Sequence, residues 1–221
     1  MISDSGNEIL KINEIFYSIQ GESTNAGLPC VFVRLTYCNL RCVYCDTEYA
    51  FYEGKNMTID EIINEAEKYD CKLAEITGGE PLMQENVLKL MSELCDRGYD
   101  VMIETGGSLP IENIDNRVKI IMDLKTPYSS MEFKNRYENI KYLKPTDEVK
   151  FVIGSREDYQ WSKNKISEYD LSGKVKQILF SPVFDMVDNI DLAGWILEDR
   201  LNVRFQLQMH KYIWHPETRG V

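Results

Sequence analysis

Cys38, Cys42 and Cys45 crowd into eight residues with the spacing C-x3-C-x2-C, directly behind the apolar run Val31-Phe32-Val33-Arg34-Leu35. Whatever this chain folds into must therefore carry three thiols on one loop at the end of a strand apolar enough to be buried on both faces. Such a loop can wrap three corners of an iron–sulfur cubane, one thiolate to each of three irons. No fourth cysteine stands nearby, so one iron keeps a position open to something other than protein. The competing reading is structural zinc, which asks for four closed ligands, often as two C-x2-C pairs. Cys30, Cys71 and Cys95 are isolated and read as buried thiols. His210 and His215 reach the loop only if the C-terminal tail folds over it.

The rest of the chain alternates short apolar runs with helical patterns. A strand over Lys11–Gln20 and a turn-rich loop over 21–27 precede the strand Val31–Leu35. Thr58-Ile59-Asp60-Glu61 is a capping box opening a helix whose apolar face is Ile59, Ile62, Ile63 and Ala66. Further strands are expected at Leu73–Thr77, Val101–Glu104, Val118–Asp123, Val149–Ile153, Gln177–Phe180 and Val203–Gln208. Helices are expected at Gln84–Arg97, burying Val87, Leu88, Met91, Leu94 and Cys95, and then at Met131–Tyr142, Arg156–Glu168 and Ile190–Asp199. Strand–helix alternation argues for a parallel sheet with right-handed crossovers. About seven strands after the N-terminal one fall short of an eight-unit barrel. The expected fold is α/β, a partial TIM-like β/α barrel of mostly parallel strands, as one domain over 1–221 with a cluster loop at 38–47 and a tail at 209–221. Glycines, prolines and polar residues gather just after the strands, which puts the site at their C-terminal edge.

The charge balance narrows the partners. Twenty-five Lys and Arg against 36 Asp and Glu give a net charge of −11, which repels phosphate backbones and argues against nucleic acid. An anionic ligand needs a local basic pocket set against that field. Residues 1–10 lack a signal-peptide core and no apolar run approaches membrane-spanning length, so a cytoplasmic protein with reduced thiols and no membrane contact is expected.

Four further stretches end strands on the same edge. Thr77-Gly78-Gly79-Glu80-Pro81 is either a tight strand-to-helix turn or a ligand cradle, with glycines allowing close backbone approach and a carboxylate able to accept from an ammonium group. Glu104-Thr105-Gly106-Gly107 and Asp123-Leu124-Lys125 read as turn chemistry and solvated charge, or as cofactor contacts. Ser181-Pro182-Val183-Phe184 ends the penultimate strand. Thr47, directly after the last thiol, is an ordinary hydroxyl turn residue or a neutral ligand for Mg²⁺, with Asp46 as a second oxygen donor.

The thiol spacing resembles the radical S-adenosylmethionine superfamily, and Thr77–Pro81 after the next strand matches that superfamily's motif for holding the methionine moiety. The resemblance implies a 4Fe–4S cluster on Cys38, Cys42 and Cys45, with S-adenosylmethionine chelating the open iron and yielding a 5′-deoxyadenosyl radical. It further implies cofactor contacts from Gly78, Gly79, Glu80, Asp123, Leu124, Lys125, Ser181, Pro182, Val183 and Phe184. The nearer likeness is to the 7-carboxy-7-deazaguanine synthase family, carried by Ser18-Ile19-Gln20-Gly21-Glu22, Phe32-Val33-Arg34, Cys45-Asp46-Thr47, and His210-Lys211 followed by Pro216.

This likeness implies a lyase in queuosine and deazapurine biosynthesis, acting on 6-carboxy-5,6,7,8-tetrahydropterin with loss of ammonia. Ile19, Gln20, Gly21, Arg34, Thr77 and Pro216 would contact the substrate, and Thr47 would hold Mg²⁺ against it. A planar guanidinium at Arg34 suits a carboxylate better than lysine does, although a salt bridge to a nearby acid would also explain it. A homodimer and an electron donor such as flavodoxin or ferredoxin are implied as partners. The chain departs from relatives in keeping the short cysteine spacing, in carrying Asp123-Leu124 where Ser-Pro is common, and in running five residues beyond Pro216. A glycyl-radical-enzyme activase and a non-catalytic iron–sulfur or zinc module are the alternatives.

Overall fold

The computed structural model describes residues 8–221; residues 1–7 of the polar N-terminal stretch lie outside the described residues. The strands are β1 (Ile9–Ile19), β2 (Pro29–Leu35), β3 (Lys55–Thr58), β4 (Leu73–Gly78), β5 (Asp100–Thr105), β6 (Lys119–Asp123), β7 (Glu148–Ile153), β8 (Gln177–Pro182) and β9 (Arg204–Phe205). The helices are α1 (Ile59–Glu67), α2 (Val87–Asp96), α3 (Arg156–Glu168), α4 (Leu171–Lys174), α5 (Asn189–Glu198) and α6 (His210–Ile213). They frame one sheet in the order β3-β1-β2-β4-β5-β6-β7-β8-β9, with β3 and β9 as free edges. From β2 to β9 every neighbouring pair is parallel, while β1 runs antiparallel to both β2 and β3. The sheet is the open, partial barrel that the alternation predicts.

The outer face of the sheet packs under the helices. On α1 the capping box closes, with Thr58 accepting from the Glu61 N–H and Glu61 from the Thr58 N–H, and Ile59, Ile62, Ile63 and Ala66 are all buried. The inner face carries a smaller apolar cluster of Phe16, Cys30, Phe32, Met102, Ile121 and Leu179. A register shift between Ile12 and Glu14 decides which side of β1 goes where. An extra residue reverses the alternation, so Leu10 and Ile12 join the outer core while Phe16 joins the inner cluster.

Several elements differ from the sequence expectation. Strand β3 has only Met57 buried and no alternation to announce it; it exists through pairing with Ile9–Ile12. Helix α2 begins at Val87 instead of Gln84, because Pro81–Met83 forms a 3-10 turn and the Gln84 side chain bonds the backbones of Lys11 and Thr36. Its buried face uses Leu90, with Leu88 and Cys95 only half-buried. Cys71 is half-buried too, which leaves Cys30 as the one fully buried isolated thiol.

No α-helix forms over 131–142. Two 3-10 turns, Glu132–Lys134 and Tyr137–Tyr142, stand there. Asn135 is committed to both backbone groups of Lys125, the Arg136 N–H to Gly107, and Asn139 to Gly107 and Leu109. Strand β9 stops at Phe205, because the Gln206 side chain and the Met209 N–H turn to the loop after β1.

That loop, 20–28, determines the shape of the site. It closes on itself through Gln20 N–H to Leu28 O and Gly27 N–H to Gln20 O, both 2.8 Å. Thr24 bonds the fully buried Glu148 at the start of β7 through its N–H and its hydroxyl, and Lys119 of β6 donates to Thr24 at 2.8 Å. Gln206 donates to the Ser23 carbonyl at 2.9 Å. The loop thus spans the trough from β1 to the far strands and forms a floor.

Candidate active site

A cavity of about 580 Å³ opens above that floor, on the inner face and toward the C-terminal ends of the strands. Its wall on the β2 side is the cluster loop. Tyr37 enters that loop with φ +82, held by its N–H to Ala50 O at 2.9 Å and by its carbonyl, which accepts the Glu80 N–H at 2.8 Å. Cys38, Cys42 and Cys45 all line the cavity. Burial pushes all three thiols up, Cys42 to about 11, while nearby Lys125 pulls them down. Three desolvated thiols beside one another stay protonated unless a bound cation takes the protons' place, which is what a metal–thiolate bond does.

Among the described residues no three His, Cys, Asp or Glu side chains converge as ligands of one metal ion. A single zinc centre needs that convergence; a cubane takes one thiolate per iron and does not. Donor set and placement fit an iron–sulfur cluster.

The turn after β4 lies against the loop so closely that side chains are excluded. A Cβ at Gly78, whose φ is +147, would sit 2.3 Å from Leu35 O, and one at Gly79 would sit 2.3 Å from Tyr37 O. Thr77, Gly78 and Gly79 line the cavity, but Glu80 does not. Its fully buried carboxylate accepts from the Leu82 N–H, the Thr105 hydroxyl and the Gly106 N–H at 2.8–3.1 Å, so it ties two strand ends together behind the cavity wall. Leu124 also falls outside, since its side chain is in the outer core. Ser181 is buried with its hydroxyl donating to Gln206 O, and Pro182 borders a smaller neighbouring pocket.

Val183, Phe184, Asp123 and Lys125 do line the cavity. Asp123 pairs with Lys125 at 2.8 Å through Oδ2, while its Oδ1 and the Tyr44 hydroxyl are buried with no partner. Tyr44 is stacked on Tyr128 at 6.4 Å. Two unpartnered polar atoms, from residues that line one cavity, are open to a ligand or an ordered water.

Ile19, Gln20, Gly21, Arg34 and Pro216 come together on the opposite side. Arg34 does have its salt bridge, Nε to Glu14 at 2.8 Å, and the Tyr49 hydroxyl donates to the same Glu14 oxygen at 3.0 Å. That pairing occupies Nε and leaves both terminal nitrogens to the cavity. Thr47 lines the cavity with its hydroxyl 3.2 Å from Asp46 Oδ1, and Asp46 is paired with Lys211 at 2.7 Å. Burial works against the Asp46 charge, but Lys211 overrides it and holds the carboxyl down at about 2. The tail therefore does fold over the cluster loop. It brings His210, whose ring would lie 2.6 Å from a Cβ at Gly21, and Arg219, which stacks on Tyr49 at 3.8 Å.

Sequence reasoning passed over Glu75, Lys150, Tyr44 and Tyr49. For the first two a signal exists: a charge inside a buried parallel strand, in Ala74-Glu75-Ile76 and Val149-Lys150-Phe151. Lys150 holds Glu22 at 2.5 Å and also Glu104. Burial disfavours its charge, yet the acids raise it well above the ordinary lysine value.

The family model of the radical SAM superfamily matches residues 33–144, which contain the thiols and the glycine turn. The 7-carboxy-7-deazaguanine synthase of Koribacter versatilis is 47% identical over 96% of this chain and 100% of its own length. That of Chlorobaculum tepidum is 48% identical over 96% of this chain and 97% of its own. In fold, the crystal structure of QueE from Escherichia coli matches with a TM-score of 0.79 at 20% identity, covering 95% of this chain and 100% of that one. Streptococcus suis SuiB bound to S-adenosylmethionine matches at 0.54 and 15% identity, covering 78% and 45%. The chain is a radical SAM enzyme and belongs to the 7-carboxy-7-deazaguanine synthase family.

Proposed function

We propose that this enzyme converts 6-carboxy-5,6,7,8-tetrahydropterin to 7-carboxy-7-deazaguanine with loss of ammonia. The observation that supports it best is the sharing of one cavity by the three thiols, the Gly78-Gly79 turn, Arg34 and the Ile19-Gln20-Gly21 stretch. Cys38, Cys42 and Cys45 would hold the cluster, which with S-adenosylmethionine supplies a carbon-centred radical for hydrogen abstraction. Gly78 and Gly79 would bring backbone against the methionine moiety, and Asp123, Tyr44, Val183 and Phe184 would meet the nucleoside part. Arg34, already oriented by Glu14, would give its terminal nitrogens to the substrate carboxylate, with Thr77 and Pro216 bounding the ring. The floor loop and the tail would limit the access of water, which matters where a radical must meet substrate first.

Thr47 is the proposed Mg²⁺ ligand. Lys211 already neutralises Asp46, so the hydroxyl is left as a neutral donor that keeps the ion's charge available to substrate oxygens. Thr47→Ala should keep its iron and lose Mg²⁺-dependent turnover; unchanged Mg²⁺ dependence makes Thr47 a turn residue. A homodimer, a flavodoxin or ferredoxin donor and a cytoplasmic location complete the reading; among the described residues no helix is long and apolar enough to cross a membrane. Anaerobic incubation of the reconstituted enzyme with the carboxytetrahydropterin, reductant and S-adenosylmethionine tests it. Deazaguanine formation is the expected result. Cofactor cleavage with no deazaguanine would favour a protein-directed activase, and bound zinc in place of iron would remove the radical reading.

A further inference from the structure

Beneath the proposed pterin site lies a set of charges that the substrate and cofactor contacts do not fully use. Ala74 and Ile76 pack in the outer core, so Glu75 between them faces inward and lines the cavity. The loop after β1 presents Gln20 and Glu22 to it, β5 presents Glu104, β7 presents Lys150 and β2 presents the Cys30 thiol. Asp123 of β6 is paired with Lys125. Lys150 already serves Glu22 and Glu104, so a third negative charge at Glu75 has no counter-ion.

Gln20 fixes which oxygen is which. Its Oε1 accepts the Glu22 N–H at 2.9 Å, which turns its amide nitrogen onto Glu75 Oε2. An oxygen that accepts from an amide is the carbonyl side of an acid, so a proton on this group resides on Oε1. Glu75 Oε1 makes no hydrogen bond among the described residues.

We infer that Glu75 is a specificity-determining acid that presents a carboxylic O–H to an acceptor lone pair on the pterin ring, a role resting on the proposed pterin substrate. Burial first, then the charges on Glu104 and Glu22, hold this carboxyl up at about 8 against the pull of Gln20 and Lys150. It is therefore neutral at pH 7, as a carboxylic acid must be in order to donate. A carboxylate there would accept instead, and would repel a ring oxygen or nitrogen.

Two measurements test this separately. Carbon-13 NMR of glutamate δ-carboxyls in the metal-free protein, which needs no substrate, should show one resonance titrating near pH 8 that is absent in Glu75→Gln. The substrate KM of the holoenzyme should rise about tenfold from pH 7 to pH 9, the loss expected when only the protonated form binds. Glu75→Gln keeps an N–H donor at that atom with no proton to lose, so its KM should be flat with pH, while Glu75→Ala should have a raised KM throughout. No glutamate titrating between about pH 7 and 9 overturns the inference, as does a Glu75→Gln profile that rises like the wild type. If the NMR titration is present and the enzyme makes no deazaguanine, the substrate reading has failed and Glu75 as pterin donor fails with it.

Discussion

Gly79→Ala isolates the contact on which the radical site depends. The new Cβ would lie 2.3 Å from Tyr37 O and 2.7 Å from Cys38 Cβ. Reaching even a tight 3.0 Å contact requires a shift of about 0.7 Å, and both nearest groups belong to the cluster loop. Tyr37 O accepts the Glu80 N–H at 2.8 Å, so that shift opens the bond to roughly 3.5 Å, where it ceases to count. A lost backbone bond of about 1 kcal/mol and an overpacking cost of about 2 kcal/mol give ~3 kcal/mol, or a fall in melting midpoint of about 6–12 °C. Because the strain falls on Cys38, anaerobically reconstituted protein should also hold less iron.

Gly98→Ala is the control: its φ is +76 with nothing within 4 Å of a Cβ, so it should lose about 1–2 kcal/mol and keep its iron. Differential scanning fluorimetry of the metal-free protein and iron analysis of the reconstituted protein read the two effects. Full iron and an unchanged midpoint in Gly79→Ala would refute the argument that the turn and the loop are packed as one unit.

Other outcomes rest on the same geometry. Arg34→Lys loses either the Glu14 bond or the substrate carboxylate, and KM should rise by about 10–100-fold with iron content unchanged, the range for a charged hydrogen bond. Gly194→Ala, in α5 with open space around its Cβ, should stabilise by about 0.5–1 kcal/mol and raise the midpoint by about 2 °C. Glu75 binds its proton more tightly folded than unfolded, so its contribution to stability is greatest below pH 4.5 and declines as pH rises toward about 8. Chemical denaturation across that range should show a shallower decline in Glu75→Gln than in the wild type.

The sequence carried the parallel strands because each is a short β-rich apolar run, and α1 because a capping box stands at its start. What it hid was set by contacts between distant segments. The bulge in β1 is invisible in Lys11–Gln20, yet it alone turns Phe16 inward and brings Glu14 against Arg34. The stretch 131–142 reads as helical only if Asn135 and Asn139 are taken as surface residues, and both are committed to strand-end backbones. At the site, local motifs located the thiols and the glycine turn. Glu80 reads as a ligand because a carboxylate stands beside two glycines; what the sequence does not show is that it also accepts from Thr105 and Gly106, some 25 residues away, besides nearby Leu82.

The charge pattern of the cavity follows from the acidity of the chain. With a net −11 the protein repels a carboxylated substrate at long range, yet Arg34, Lys125, Lys150 and Lys211 all line one cavity. Each is already paired, with Glu14, Asp123, Glu22 plus Glu104, and Asp46 respectively. Unpaired, one buried and three half-buried cations would be strongly destabilising. Paired, they are held in place before a ligand arrives, so an incoming carboxylate meets donors whose orientation costs no further entropy. At Arg34, Glu14 consumes one nitrogen and fixes the plane of the other two. At Lys150, two acids exhaust the cation, and Glu75, left without a share, is the group that must keep its proton.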